Sequence, residues 1–270
     1  MKLSIVLSTH AAQFAAATFK GDFAANVARI ASMCYDGVEL AIRDPRLVDA
    51  DELVQVIAAH GLVVPAIGTG QAWGEEGLSF TSADPDIRRA AIERIKSHIP
   101  LAARLNAVVI LGLIRGITPR GQSHEQSMAY LVEALQECSA AAAEVGVRYA
   151  LEPLNRYETD LIHTVADGLA LIEQVGAANF GLLLDTFHMN IEEPSSEESI
   201  RQASSRIFHF HVADSNRWHP GTGHLDFASI LRALFGTGYA GFVSGEFLPI
   251  PDAETAARRG IAHLRNLGVS

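Results

Sequence analysis

The sequence predicts a single (β/α)8 barrel over residues 1–270, and three observations carry that reading. Apolar runs of strand length alternate with Ala-rich helical stretches from one end to the other, a rhythm that calls for parallel strands joined by right-handed crossovers. Eight such units fit the 270 residues, close to the roughly 250 that a closed α/β barrel uses as one domain. Hydrophobic residues make up 49% and charged residues only 19%, which suits strands buried on both faces and covered by helices.

Leu3–Leu7 reads as the first strand. With Lys2 before it the run has the look of a secretory leader, but it stops at Ser8-Thr9-His10, short of the roughly 7–15 apolar residues such a leader needs. Phe23–Met33 follows as a helix with Phe23, Val27 and Ile30 on one face, and Gly37–Ile42 as the second strand. Asp51–His60 is the second helix, and Gly61 supplies the left-handed residue that ends it. Leu62–Ile67 is the third strand, and Gly68–Gly74 is expected to be a long flexible loop. Asp84-Pro85 opens the next helix with a cap and a proline, and the pattern reaches Leu105 with a kink or division expected at Pro100. Ala107–Leu113 is the fourth strand, and Ser123–Val145 the helix behind it, ended by Gly146.

The last four strands share a feature that the first four lack. Arg148–Glu152, Phe180–Asp185, Ile207–His211 and Phe242–Glu246 each run from apolar residues onto a group able to bind a metal. Helices near Thr164–Val175, Glu197–Ala203, Phe227–Phe235 and Ala253–Leu267 separate or follow them. The intervals between the terminal groups are 33, 26 and 35 residues, the length of consecutive βα units of roughly 30 residues. Glu152, Asp185, His211 and Glu246 therefore emerge at the same end of the barrel, where active sites of this fold lie. Three carboxylates and one imidazole suit a divalent cation such as Mn²⁺, Mg²⁺ or Co²⁺ and leave about two positions on an octahedral ion for substrate oxygens. Glu152 and Glu246, on separated strands, can address a bound carbon from opposite sides. His209 and His211 share a strand face, and His211 is preferred because it stands nearer the mouth.

Other classes are disfavoured on physical grounds. The formal charge of −10 opposes a nucleic-acid partner, and no apolar run approaches the roughly 20 residues of a membrane span. Cys34 and Cys138 have no metal-type spacing and read as small buried or half-buried hydrophobes in a reduced, cytoplasmic compartment. Oligomeric state is left open, a homo-oligomer included. Glu158, His188 and Arg217 lie in the same βα loops as the metal donors, a placement that loop solvation alone would explain.

Three motifs resemble those of the ketose 3-epimerases, the D-tagatose 3-epimerase group of the xylose isomerase-like barrels. They are Glu152-Pro-Leu-Asn-Arg-Tyr-Glu158, Asp185-Thr-Phe-His-Met-Asn-Ile-Glu-Glu193 and His209-Phe-His-Val-Ala-Asp-Ser-Asn-Arg217. Phe19-Lys-Gly-Asp22, Ala66-Ile-Gly-Thr-Gly-Gln71 and Gly221-Thr-Gly-His-Leu-Asp-Phe227 are similar, within that group, to the 5-keto-L-gluconate epimerases. The resemblance implies metal ligation by Glu152, Asp185, His211 and Glu246, usually of Mn²⁺ with Mg²⁺ or Co²⁺ as substitutes, and proton transfer by Glu152 and Glu246. It implies substrate contacts from Glu158, His188 and Arg217. It also carries a departure: Gly245 stands where relatives often have a larger residue, and is expected to loosen the strand end.

The expected reaction is inversion at C3 of a ketose or keto-sugar acid through a metal-stabilised enediolate. Aldose–ketose isomerisation or polyol dehydration at the same site is the alternative. A DNA-repair nuclease of the superfamily is disfavoured because Leu40–Arg43 and Ile67–Thr69 lack the extra histidines of a three-zinc site. A non-catalytic sugar-binding barrel has no need of two opposed carboxylates. Arg115, just past the fourth strand, is expected to hold a substrate carboxylate by a two-pronged hydrogen bond, favouring a keto-hexonate over D-tagatose or D-fructose.

Overall fold

The computed structural model describes residues 1–269; Ser270, the last residue of the expected domain, lies outside them. Strand β1 (Lys2–Ser8) is followed by a two-residue strand β2 (Phe19–Lys20), which pairs with the end of β1, and by helix α1 (Phe23–Ser32). Then come β3 (Gly37–Ala41), α2 (Ala50–Ala59), β4 (Ala66–Gly68), α3 (Gln71–Glu76), α4 (Pro85–Ser97), α5 (Ile99–Leu105), β5 (Val108–Leu111) and α6 (His124–Ala143). The second half contains β6 (Tyr149–Leu151), α7 (Val165–Val175), β7 (Phe180–Asp185), α8 (Thr186–Glu192), α9 (Ser196–Ala203), β8 (Ile207–Val212), α10 (Phe227–Gly236), β9 (Phe242–Gly245) and α11 (Ala253–Asn266). All strand pairs are parallel, in the order β2-β1-β3-β4-β5-β6-β7-β8-β9, and β9 pairs back onto β1. Eight strands thus close a barrel with β2 as a short addition at its rim.

Alternation along the strands divides the apolar residues into two layers. Leu3, Ile5 and Leu7 belong to the large cluster between strands and helices. Val6 and Ala41, and separately Ala66, Val108, Ile110, Ala150 and Leu183, form small clusters of the opposite parity, inside the barrel. The helices begin where side chains can accept from free backbone N–H groups: Asp84 before Pro85, Ser123 before α6, and a reciprocal capping box of Thr164 and Asp167 on α7.

The structure departs from the sequence reading at several places. The loop expected at Gly68–Gly74 contains α3, closed by Gly77 in the left-handed conformation. The third strand is shorter than Leu62–Ile67: Pro65 offers no N–H to a ladder, and before it only Val63 is bridged, to Gly37. The expected division of the helix up to Leu105 is present, at His98, two residues before Pro100. Cys34 falls just past α1 and is exposed rather than buried, whereas Cys138 is buried in α6.

Candidate metal centre and active site

The four strand ends of the second half converge at one mouth. Asp185 closes β7 and sits in register opposite His211 of β8. Glu152 and Glu246 are each one residue past their strands, and their backbone N–H groups donate to Leu111 O (3.2 Å) and Val212 O (3.3 Å) of the neighbouring strands. Ladder hydrogen bonding thus carries on to the residues that hold the two carboxylates. Gly112 leaves space for Glu152, since a Cβ there would lie 3.3 Å from its Oε2.

One ligand atom from each of Glu152, Asp185, His211 and Glu246 lies within 4.8 Å of the others. His211 Nδ1 is 3.8 Å from Glu152 Oε1, 3.9 Å from Asp185 Oδ2 and 3.8 Å from Glu246 Oε2. These separations are too long for hydrogen bonds, yet donors about 2.1 Å from a shared ion must fall within about 4.2 Å of one another. Glu152 Oε1, Asp185 Oδ2 and His211 Nδ1 are buried without a hydrogen-bond partner. An unpartnered buried polar atom costs about 1–3 kcal/mol, more when charged, so three aimed at one point fit a divalent cation. The donor set of three carboxylates and one imidazole suits it chemically as well.

The electrostatics of the protein without an ion show the same demand. Burial, and then the charge of Glu246, push the Glu152 carboxyl well above its ordinary range. Burial raises Glu246 to about 7 against the pull of His211 and Arg217. Burial alone would depress His211, but the Glu39 and Glu246 carboxylates outweigh it and lift the imidazole to about 10. A proton and a cation therefore compete for the same Nδ1 lone pair.

The loop residues surround this centre. His188, on α8, accepts at Nδ1 from the backbone N–H of Asn155 (3.3 Å) and lies 2.7 Å from its side-chain amide. The proton then resides on Nε2, which is buried, unpartnered and 3.7 Å from Glu152 Oε1. Burial and the nearby guanidinium of Arg217 hold His188 well below its ordinary pKa, so it is a neutral donor. Arg217 donates to Glu246 Oε2 (2.9 Å) and Glu158 Oε1 (3.2 Å), with its guanidinium 4.7 Å from the Phe187 ring. Its backbone has φ of 58°, the left-handed region, and hydrogen bonds from Arg217 N to Asp214 O and from Leu248 N to Arg217 O anchor it there. Glu158, His188 and Arg217 all border a cavity of about 270 Å³ that also touches Glu152, His211 and Glu246.

Arg115 does not reach that cavity, and the expectation that it holds a substrate carboxylate is corrected. It is completely buried. Its Nε donates to Gly112 O (3.0 Å), Nη1 to Ile162 O (3.3 Å) and Leu161 O (3.4 Å), and Nη2 to Leu111 O (3.3 Å) and Glu152 O. Every guanidinium nitrogen is thus occupied by backbone carbonyls, one of them that of Glu152 itself. Gly245 is corrected too: a Cβ there would lie 2.5 Å from the Phe247 ring, so glycine admits packing rather than loosening the strand.

The family pattern for the xylose isomerase-like TIM barrel matches residues 27–267. The chain belongs to that family. It is 32% identical to L-ribulose 3-epimerase of Mesorhizobium japonicum over 97% of this chain and 87% of that one. A solved structure of an L-ribulose 3-epimerase superposes with a TM-score of 0.84 at 29% identity, covering 98% of this chain and 94% of the other. D-Psicose 3-epimerase of Clostridium cellulolyticum, solved with D-tagatose, gives a TM-score of 0.86 at 25% identity with both chains fully covered. These relatives place the chain among isomerase-class enzymes acting on sugars. Among the described residues no helix is long and apolar enough to cross a membrane.

Two carboxylates that border the cavity, Glu39 and Glu75, escaped the sequence reading. Glu39, in the middle of β3, borders the cavity and contacts both His209 and His211. The available signal was a carboxylate at an inward-facing position of an otherwise apolar strand.

Proposed function

We propose that this enzyme is a divalent-metal-dependent 3-epimerase of neutral ketoses in which Glu152 and Glu246 move the proton at C3. The observation that carries the reading is the set of unpartnered donor atoms on Glu152, Asp185 and His211, joined by Glu246, at the mouth of the barrel. When bound there, a divalent cation, Mn²⁺ by preference with Mg²⁺ or Co²⁺ as substitutes, supplies Lewis-acid polarisation of a carbonyl and its neighbouring hydroxyl.

The protein's own groups do the rest. Glu152 and Glu246 stand on the two outer strands of the arc β6–β7–β8–β9, with Asp185 and His211 between them. A sugar seated over the centre therefore has one glutamate on each side. Burial raises both carboxyls, helped at Glu152 by the charge of Glu246 and at Glu246 by those of Asp185 and Glu39, with Glu246 pushed up to about 7. With one carboxyl ionised and the other protonated, one member takes the C3 proton while the other returns one to the opposite face. His188 Nε2–H points at the cavity beside Glu152 and donates to a substrate oxygen. Arg217 holds Glu246 and Glu158 in place.

Charge selects the substrate class. Glu39, Glu75, Glu152, Glu158 and Glu246 border the cavity against one guanidinium, Arg217, already shared between Glu158 and Glu246. Away from the metal centre a substrate carboxylate finds no free arginine or lysine, so the preference for a keto-hexonate loses the side chain it rested on. Relatives named for L-ribulose and D-psicose support the neutral class.

The test is a panel of D-tagatose, D-fructose, D-psicose, L-ribulose and 5-keto-L-gluconate with Mn²⁺-loaded enzyme, followed by ¹³C NMR. C3 epimers should form from at least one neutral ketose faster than from the acid. Turnover of the acid alone, or aldose products, would overturn the reading.

A further inference from the structure

Behind the histidine of the metal centre the barrel buries a fourth carboxylate that the chemistry above leaves unused. Glu39 is 2% exposed. Its Oε2 lies 2.7 Å from His209 Nε2, and both of its oxygens lie 3.0 Å from His211 Nε2. Strands β3 and β8 are not neighbours, since β9 and β1 stand between them, so this link spans the barrel interior. The two imidazole rings are 5.2 Å apart and close to perpendicular at 80°, presenting both Nε2 edges to one carboxylate. Burying a carboxylate is costly unless it is paired and hydrogen-bonded. Packing gives no reason for one here.

Glu39, His209 and His211 are close enough to suggest a second metal centre. Their contacts of 2.7–3.0 Å are hydrogen bonds made directly between the groups, well beyond a coordination bond of about 2.1 Å and with no space left for an ion. The arrangement acts instead on His211. A neutral imidazole has one N–H and one lone pair. Glu39 claims the proton at Nε2, which leaves the lone pair on Nδ1, the atom that faces Glu152, Asp185 and Glu246.

We propose that Glu39 is a positioning residue for the metal centre: it fixes the tautomer and ring orientation of His211 and raises its strength as a donor, while His209 holds Glu39 in place. This role rests on the metal-dependent reading above.

The experiment is a Mn²⁺ titration followed by EPR, with wild type, Glu39→Gln and His209→Gln compared, and thermal unfolding of each metal-free protein recorded alongside. A glutamine offers one acceptor oxygen where two N–H groups need one, and its amide is a donor. Glu39→Gln should weaken Mn²⁺ binding by about 10–100-fold, His209→Gln by less, with metal-free unfolding little changed. In Mg²⁺-loaded wild type, ¹⁵N-histidine spectra should show the His211 proton on Nε2. If Glu39→Gln folds like wild type and binds Mn²⁺ equally well, the role is refuted while the metal centre stands. If wild type takes up no Mn²⁺, the metal centre falls and this role with it. Should Glu39→Gln fail to fold, the wild-type spectrum decides: a proton on Nδ1 overturns the proposal.

Discussion

Replacing Arg115 by methionine separates a structural arginine from a substrate-binding one. The guanidinium is fully buried, and its three nitrogens each donate to at least one backbone carbonyl, on Leu111, Gly112, Glu152, Leu161 and Ile162. Counting one charged hydrogen bond per nitrogen at about 1.5–3 kcal/mol, the substitution removes about 5–9 kcal/mol. These hydrogen-bond values are already net of the desolvation that pushes the Arg115 pKa down to about 10, so the expected loss is about 5–9 kcal/mol, measurable by urea denaturation of the metal-free protein. Turnover should fall for neutral and acidic substrates alike, because the carbonyl of Glu152 loses its anchor and the carboxylate moves with it. Stability within about 1 kcal/mol of wild type, together with a selective loss of keto-acid turnover, would refute the reasoning and restore Arg115 to the substrate.

Other expectations follow from the same geometry. Chelation should abolish turnover and Mn²⁺ restore it, while circular dichroism shows the barrel retained; activity in protein shown metal-free by elemental analysis would contradict the metal centre. Glu152→Gln and Glu246→Gln should each lower kcat by roughly 10²–10⁴-fold, and a loss under about tenfold would exclude that residue from proton transfer. Asp44 is held down at about 2 by its hydrogen bonds with Arg46, helped by the charge of Arg94. Its folded pKa lies below the unfolded value of about 3.9, so its stabilisation is present above that pH and is lost as pH falls towards 2. Asp44→Asn should therefore show a shallower loss of stability over that window than wild type, and parallel curves would reject the coupling. The Cys138 thiol is buried and pushed up to about 12, so at a pH of about 8 a thiol reagent should modify Cys34 alone in the native protein and both cysteines after denaturation.

The strands were legible because each is an apolar run bounded by turn residues, and the ligand set because Glu152, Asp185, His211 and Glu246 end four such runs in succession. What escaped has local physical causes. Helix α8 begins at Thr186, directly after the strand, with Asp185 Oδ1 accepting from Phe187 N (2.7 Å) while Oδ2 faces the centre. A seven-residue helix is too short to display a 3.6-residue period. Helix α3 carries Gly74 and is flanked by Gly70 and Gly77, so its local sequence argues for a loop. Arg115 sits beside the mouth in sequence, but a 3₁₀ turn over Leu113–Arg115 sends its side chain back among carbonyls. Only tertiary structure reveals that direction. Glu39 was hidden by its neighbours, for Val38 and Leu40 belong to the core outside the barrel while Glu39 points inward, toward a histidine 172 residues away.

The central claim is that Glu152 and Glu246 invert C3 of a neutral ketose with a divalent cation present. Its most direct test is turnover of D-tagatose, D-fructose, D-psicose and L-ribulose in D₂O by the Mn²⁺-loaded enzyme, with deuterium located by NMR. The account predicts deuterium at C3 of the product and nowhere else, and no incorporation after chelation. Epimer formed without label at C3, or label at C1 accompanied by an aldose, would contradict it.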